Sequence, residues 1–303
     1  MTSTRPVAAA GSFYPAAAEE LSSLLDDCFS KSPLGPRGVF TPSTDLIAGM
    51  VPHAGPIYSG PCAAHLYARL EPSIQRVILI GVNHRARGHR AALSPWESWH
   101  TPLGDVSVNK ELNEYLETRV AFLRREPAAH AEEHSIEVQL PFLQRTLGQF
   151  TIAPISLAHI SHDDCAELGD AIASYVERVE KTLILASSDL SHYLSPKETD
   201  ELDRLVIEQV LAMNPTGLLN VTEDKNITMC GVIPAAVMLF AGKALGVERA
   251  TLLKHCHSGD VTPMRKVVGY ASVALQLEAT LGFIFAAGNN FRLERFDRFD
   301  PPI

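Results

Sequence analysis

Two histidines sit just beyond runs of apolar, β-favouring residues: His53 in VPHAGPIYSG and His84 in LIGVNHRARG. In an open α/β sheet, ligands collect at the carboxyl ends of parallel strands, so both imidazoles are delivered to one rim. Imidazole is a common ligand for transition metals, and a third donor completes a metal centre. A third strand end carries LASSDLSHY, with Asp189 and His192 three residues apart. His192 suits a general acid or base, because its ordinary pKa of ~6.5 lies near working pH. Helix capping would account for a serine or the aspartate here, but not for the histidine. Asp189 can also orient an imidazole or hold a metal-bound water.

Two further stretches add donors. HAEEHSIEVQLPFL places His134 among Glu132, Glu133 and Glu137 at the entrance of an amphipathic helix. Acidic residues there favour the helix dipole and read as structural, whereas His134 reads as a residue that touches substrate or braces a ligand. Cys230 lies in ITMCGVIPAA, where a polar approach meets a helix start. A free cysteine is usually buried packing, but at a helix N-terminus its pKa can fall, and the thiolate is what binds metal. His89, His100, His159, His162 and His257 have no comparable framing and read as surface or loop residues.

The elements that must position these groups alternate along the chain. A loop over 32–43 separates an N-terminal helix (16–30) from the first core strand, Leu46–Val51. A helix over 61–70 and a strand at Arg76–Val82 follow, then short strands near 91–94 and 105–108 and a helix over 110–118. Helical spacing over 135–147 is interrupted by Pro141, which kinks the helix or starts it late. A strand at Thr151–Leu157, a helix over 163–179 and a strand over 182–186 come next. Helices over 196–213 and 230–245 and strands over 250–256 and 266–275 complete the pattern. This order predicts an α/β protein with a mainly parallel central sheet and helices on both faces. A single domain over 1–279 is expected, with a C-terminal tail over 280–303 that has no functional reading.

The 303 residues are 46% apolar and 20% charged, which is ordinary for a soluble globular protein. A formal charge of −9 argues against a nucleic-acid partner. The basic cluster 85–90, beside His84, fits an anion contact or a solvated loop equally. The N-terminus is too short of apolar length for an export signal, and no stretch approaches a membrane span. Five scattered cysteines without a CxxC pair suit a reducing cytoplasm better than a disulfide framework.

Taken together, AGSFYP, PHAGPIYSG, GVNH, TPLGDV, AHAEEHSIEVQLPFL, SSDLSHY, MCG, SGD and VVGYAS resemble the Memo family, also called AmmeMemoRadiSam system protein B. The blocks occur in family order and span roughly residues 5–275. The resemblance implies a fold like the class III extradiol (LigB-like) dioxygenases, non-haem iron enzymes. It implies a metal site from His53, His84 and Cys230, with Asp189 and His192 beside it as the catalytic pair. Cys230 stands where the dioxygenases place a carboxylate. A thiolate is softer than a carboxylate and tolerates Fe(II), Zn(II) or Cu(I), so the expectation of ordinary catechol cleavage weakens while metal binding stands. Pro56 departs from the family pattern, which usually has an aromatic residue there. Tyr58 and Phe13 are expected to line the pocket, and Asn83 to touch substrate or brace a ligand.

The leading expectation is a cytoplasmic Fe(II) oxidoreductase of dioxygenase-like type acting on a small organic substrate. A Zn(II)-dependent hydrolase is the alternative within enzymes. Outside them, the resemblance points to a non-catalytic protein that binds phosphotyrosine-containing partners. The family name adds radical-SAM and AMMECR-type proteins as companions.

Overall fold

The structure is a computed structural model and describes residues 3–277. The first half contains β1 (Thr4–Arg5), α1 (Ala18–Asp26), β2 (Leu46–Val51), α2 (Pro56–Tyr67), β3 (Arg76–Val82), β4 (Ala91–Leu93), β5 (Ser98–Trp99), β6 (Val106–Val108), α3 (Lys110–Arg119) and β7 (Arg124–Arg125). A 3-10 turn at Glu137–Gln139 leads into α4 (Leu140–Thr146), β8 (Thr151–Leu157), α5 (His162–Val176), β9 (Thr182–Ser187) and β10 (His192–Leu194). The chain continues through α6 (Pro196–Leu211), α7 (Pro215–Asp224), α8 (Val232–Ala244), β11 (Ala250–His257), α9 (Ser258–Val261) and β12 (Val267–Gln276). The C-terminal tail expected over 280–303 lies outside the described residues.

One sheet gathers the strands in the order β1-β5-β6-β8-β3-β9-β2-β12-β10. Its centre, β6-β8-β3-β9-β2, is parallel, while β12 joins β2 antiparallel and β11 pairs with β12. The mainly parallel α/β architecture is therefore as the alternating pattern required. Central parallel strands are buried on both faces and read as continuous apolar runs. In β3, Ile78 and Ile80 point into a core shared with α5 and α8, whereas Val77 and Leu79 point into a second core with α1, α2 and α4. Each such side chain contributes about 1.5–3 kcal/mol by leaving water.

The strands Leu46–Val51, Arg76–Val82 and Thr151–Leu157 form with the expected bounds. The helix expected over 61–70 starts earlier, at Pro56, because a proline in the first turn forfeits no helical hydrogen bond. The helix expected over 135–147 splits into the 3-10 turn and α4, with Pro141 in the first turn of α4. The helix expected from 230 starts at Val232, with Gly231 as its N-cap. The sequence reading did not anticipate α7, which Asn214 caps by accepting from the Gly217 N–H.

One buried ion pair ties the N-terminus to the segment that precedes α4. Arg5 and Glu137 are both fully buried and lie 2.6 Å apart. The Arg5 guanidinium also donates to the carbonyls of His130 and Glu133 and stacks over Trp99 at 4.0 Å. Glu137 additionally accepts from the Ala8 and Ala9 N–H groups and the Tyr14 hydroxyl. Removing one partner strands a buried charge, so Arg5→Ala is expected to lower unfolding free energy by about 3–5 kcal/mol. Denaturant titration checks this; a loss well under 1 kcal/mol would contradict the anchoring role.

Candidate metal centre

Three neighbouring strands, β3, β9 and β2, deliver His84, Asp189 and His53 at the same offset beyond their carboxyl ends. The register aligns Val51 with Ser187, which puts His53 level with Asp189, and Ile80 with Ala186, which carries His84 one residue farther along, on strands about 4.8 Å apart. The central member, Asp189, is buried. Its Oδ1 accepts from the backbone N–H groups of His53 at 2.7 Å and Ala54 at 3.2 Å, holding the loop that carries the histidine. Burial pushes the Asp189 carboxyl up, opposed by those two N–H groups and by His192.

His53 has its tautomer dictated from behind. Its Nδ1 lies 2.9 Å from Ser187 Oγ, which already donates its only proton to the Ser135 carbonyl at 2.6 Å. Ser187 must therefore accept from His53 Nδ1–H, leaving the Nε2 lone pair free to face the cavity. Gln139 donates to the same hydroxyl at 2.8 Å and itself accepts from Tyr67 at 2.7 Å. Burial, helped by the charge of His84, pushes the His53 pKa down to about 3. The ring is neutral at physiological pH, which is the form that ligates metal.

Glu133 fixes His84 in the same manner. One carboxylate oxygen accepts from His84 Nδ1 at 2.9 Å and the other from the His84 backbone N–H at 2.8 Å. The backbone N–H groups of His134 and Ser135 also donate to Glu133. Burial works against its charge but is outweighed by the hydrogen bond and charge of His84, so the carboxyl is held down at about 2. His134 Nδ1 approaches the same oxygen at 3.3 Å. Its ring stacks on His84 at 4.7 Å and on Phe13 at 4.1 Å. Burial and the neighbouring His53 push its pKa down to about 4. Gly81 makes this approach possible, because a Cβ there would meet Ile136 Cγ1 at 2.4 Å and Ser135 Oγ at 2.7 Å.

Ring nitrogens of His53, His84 and His134 all lie within 4.8 Å of one another, a group able to hold a metal ion. Cys230 Sγ stands 3.2 Å from His53 Nε2. A thiolate at about 2.3 Å and an imidazole at about 2.1 Å, set at a right angle on one ion, are separated by about 3.1 Å. Gly231 lets the chain reach this point: its N–H donates to Ser188 Oγ, and a Cβ would meet the Ser187 carbonyl at 2.5 Å. The expected helix-lowered thiol is not what the structure contains. Cys230 precedes the N-cap, and burial beside Asp189 pushes its thiol well up. Without a metal it is protonated at neutral pH.

His192 donates from Nδ1 to the Thr228 carbonyl at 2.8 Å, and its backbone N–H donates to the Thr228 hydroxyl at 2.7 Å. That leaves Nε2 toward the cavity as the ring's remaining polar atom. Next to it, a register shift in the β10–β12 pairing falls between His192 and Leu194, and Tyr193 takes φ +60°. A bulky side chain in the left-handed region costs about 1–3 kcal/mol and persists where the surroundings over-determine it.

All these groups open on one cavity of about 450 Å³, which Phe13, Tyr193 and Val268 also line. Tyr58, expected to line the pocket, and Asn83, expected to touch substrate or brace a ligand, both lie outside the cavity lining. Tyr58 packs with Cys62, Cys256 and Tyr270 behind the site, because the early start of α2 turns it away from the cavity. Asn83 clamps its own loop through the Arg87 backbone and does not reach the cavity. The sequence reading missed Glu133, Ser187, Gln139 and Thr228 as partners of the imidazoles. For Glu133 a signal existed, since the glutamate falls between two histidines in HAEEHS.

Fold and site together define an α/β protein with a histidine-rich candidate metal centre at the strand ends. The family model for the Memo-like protein matches residues 5–274. A MEMO1 family protein of Methanopyrus kandleri is 38% identical over 282 residues, covering 90% of this chain and 99% of the relative. One from Ignicoccus hospitalis is 41% identical over 282 residues with the same coverage. The chain belongs to the Memo family. Among solved structures, an uncharacterized Escherichia coli K12 protein, JW3007, shares the fold at 12% identity with a TM-score of 0.51, over 74% of this chain and 99% of that one.

Outer carboxylates that orient metal-binding histidines are typically worth about 10–100-fold in metal affinity. Glu133→Ala is expected to weaken metal binding by about that factor, measured by competition with a chromophoric chelator. Unchanged affinity would remove Glu133 from the site.

Proposed function

We propose that this protein is a non-haem iron oxidoreductase acting on a small organic substrate. In this reading His53, His84 and Cys230 hold the ion, with His134 as a further nitrogen donor. The observation that carries it is the pair of imidazoles, each gripped at Nδ1, with His53 Nε2 standing 3.2 Å from a thiol. No other protein group, among the described residues, bonds the Nε2 of His84 or His134, so the donor set suits a cation. Bound iron supplies redox chemistry and open coordination positions for O₂ and substrate.

The chain's own residues contribute positioning and proton handling. His192 accepts a proton at Nε2, its tautomer held by Thr228. Asp189 keeps the His53 loop in place through two backbone hydrogen bonds and presents its carboxyl to the cavity. Phe13 braces His134 by stacking and excludes water from that wall. Five free thiols fit a reducing, cytoplasmic setting. The family membership favours radical-SAM and AMMECR-type companions. No described helix is long and apolar enough to cross a membrane.

Zinc hydrolysis is the second reading, supported by the three-nitrogen group, which matches a catalytic zinc site with one open position. Metal analysis after anaerobic purification, coupled to O₂ consumption, separates the two. Wild type is expected to carry one iron per chain, and a His53→Ala, His84→Ala double variant to lose it. Equal iron in wild type and variant would overturn the proposal; stoichiometric zinc without O₂ uptake would favour hydrolysis.

A further inference from the structure

Tyr193 is the residue the fold keeps at a disadvantage. Its backbone adopts φ +60°, a conformation suited to asparagine or glycine, and its ring is 69% exposed at the cavity mouth. The flanking residues leave it no freedom to relax. His192 is tied to Thr228 through both backbone and ring, and Leu194 pairs with Val267 across the register shift. Bulges of this kind re-aim a side chain beside an active site. Among the aromatic rings of the described residues it meets only His192, edge-on at 5.8 Å, and its hydroxyl has no hydrogen-bond partner among the described residues. Neither core packing nor a polar contact accounts for a tyrosine here.

The cavity indicates what does. Its lining holds the polar donors His53, His84, His134, Asp189 and Cys230, while Phe13 and Tyr193 add aromatic faces. At about 450 Å³ it is the size of a small-molecule site. Such a space favours a flat ring with a metal-binding group at one end: the donors take the polar end and an aromatic wall takes the ring. We infer that Tyr193 is a specificity-determining residue, a platform on which the ring of a metal-chelating aromatic or heteroaromatic acid stacks. The inference rests on the metal reading above and adds the substrate class to it.

Two chelators separate the contributions: picolinate, which has a ring, and oxalate, which has none. Both are titrated calorimetrically into metal-loaded wild type, Tyr193→Ala and Tyr193→Phe. Tyr193→Ala is expected to weaken picolinate on the order of tenfold, with Tyr193→Phe close to wild type and oxalate unaffected by either. Tyr193→Asn, which suits the left-handed backbone, is expected to melt no lower than wild type while losing picolinate like the alanine variant. Picolinate binding unchanged in Tyr193→Ala, or picolinate and oxalate weakened equally, overturns the inference. So does a wild type that binds oxalate but not picolinate, although the metal reading then survives. A wild type that takes up no metal defeats the metal reading, and the inference with it.

Discussion

Holding two imidazoles by Nδ1 so that the Nε2 of each is left toward one cavity is the constraint on which the rest depends. Such a ring is held in place only if Nδ1–H meets an acceptor, and the chain supplies a different one for each ring. Ser187 serves His53 because its own proton is committed to the Ser135 carbonyl. Glu133 serves His84 and, through its other contacts, fixes the backbone of His134 and Ser135. Because burial drives His53 and His134 down to about 3 and about 4, protons compete with a metal at those two rings only in distinctly acid solution. Cys230 works in the opposite sense: its thiol must give up a proton that burial makes hard to release.

Packing on both faces of the sheet serves this constraint. The segment bearing Glu133 and His134 carries no regular structure of its own and is held by the Arg5 guanidinium, which takes the carbonyls of His130 and Glu133. It descends onto β3 where Gly81 leaves room. From the other side, the approach to α8 descends onto the end of β9 where Gly231 leaves room. The site therefore sits where the two hydrophobic cores end, with strand β9 between its two halves. A rigid parallel centre suits such a site, because adjacent strand ends cannot shift independently.

Much of this was legible in the residues. Apolar runs ending in His53, His84 and Asp189 placed those groups on one rim, since parallel strands share a direction. Their meeting followed from strand adjacency, which periodicity does not encode; the order β3-β9-β2 emerges only with the sheet assembled. Cys230 was legible chiefly through its resemblance to a family, because a lone cysteine before a helix carries no positional information. Glu133 and Glu137 looked alike as first-turn acids, yet one braces an imidazole and the other pairs with Arg5. Their partners lie far away in sequence, so local spacing could not tell them apart. Tyr58 was misplaced for a local reason: Pro56 starts the helix early and turns that ring toward Cys62 and Tyr270.

Proton release on metal binding tests the central claim most directly. At pH 7 His53 and His134 are already neutral and release nothing, whereas a thiol recruited as thiolate must lose its proton. Calorimetric titration of Fe(II) into the metal-free protein, repeated in buffers of different ionisation enthalpy, counts that proton. The account predicts that the wild type releases close to one proton per ion more than Cys230→Ala. No release from the wild type, or the same release from both proteins, would contradict a centre in which the histidines and the Cys230 sulfur share an ion.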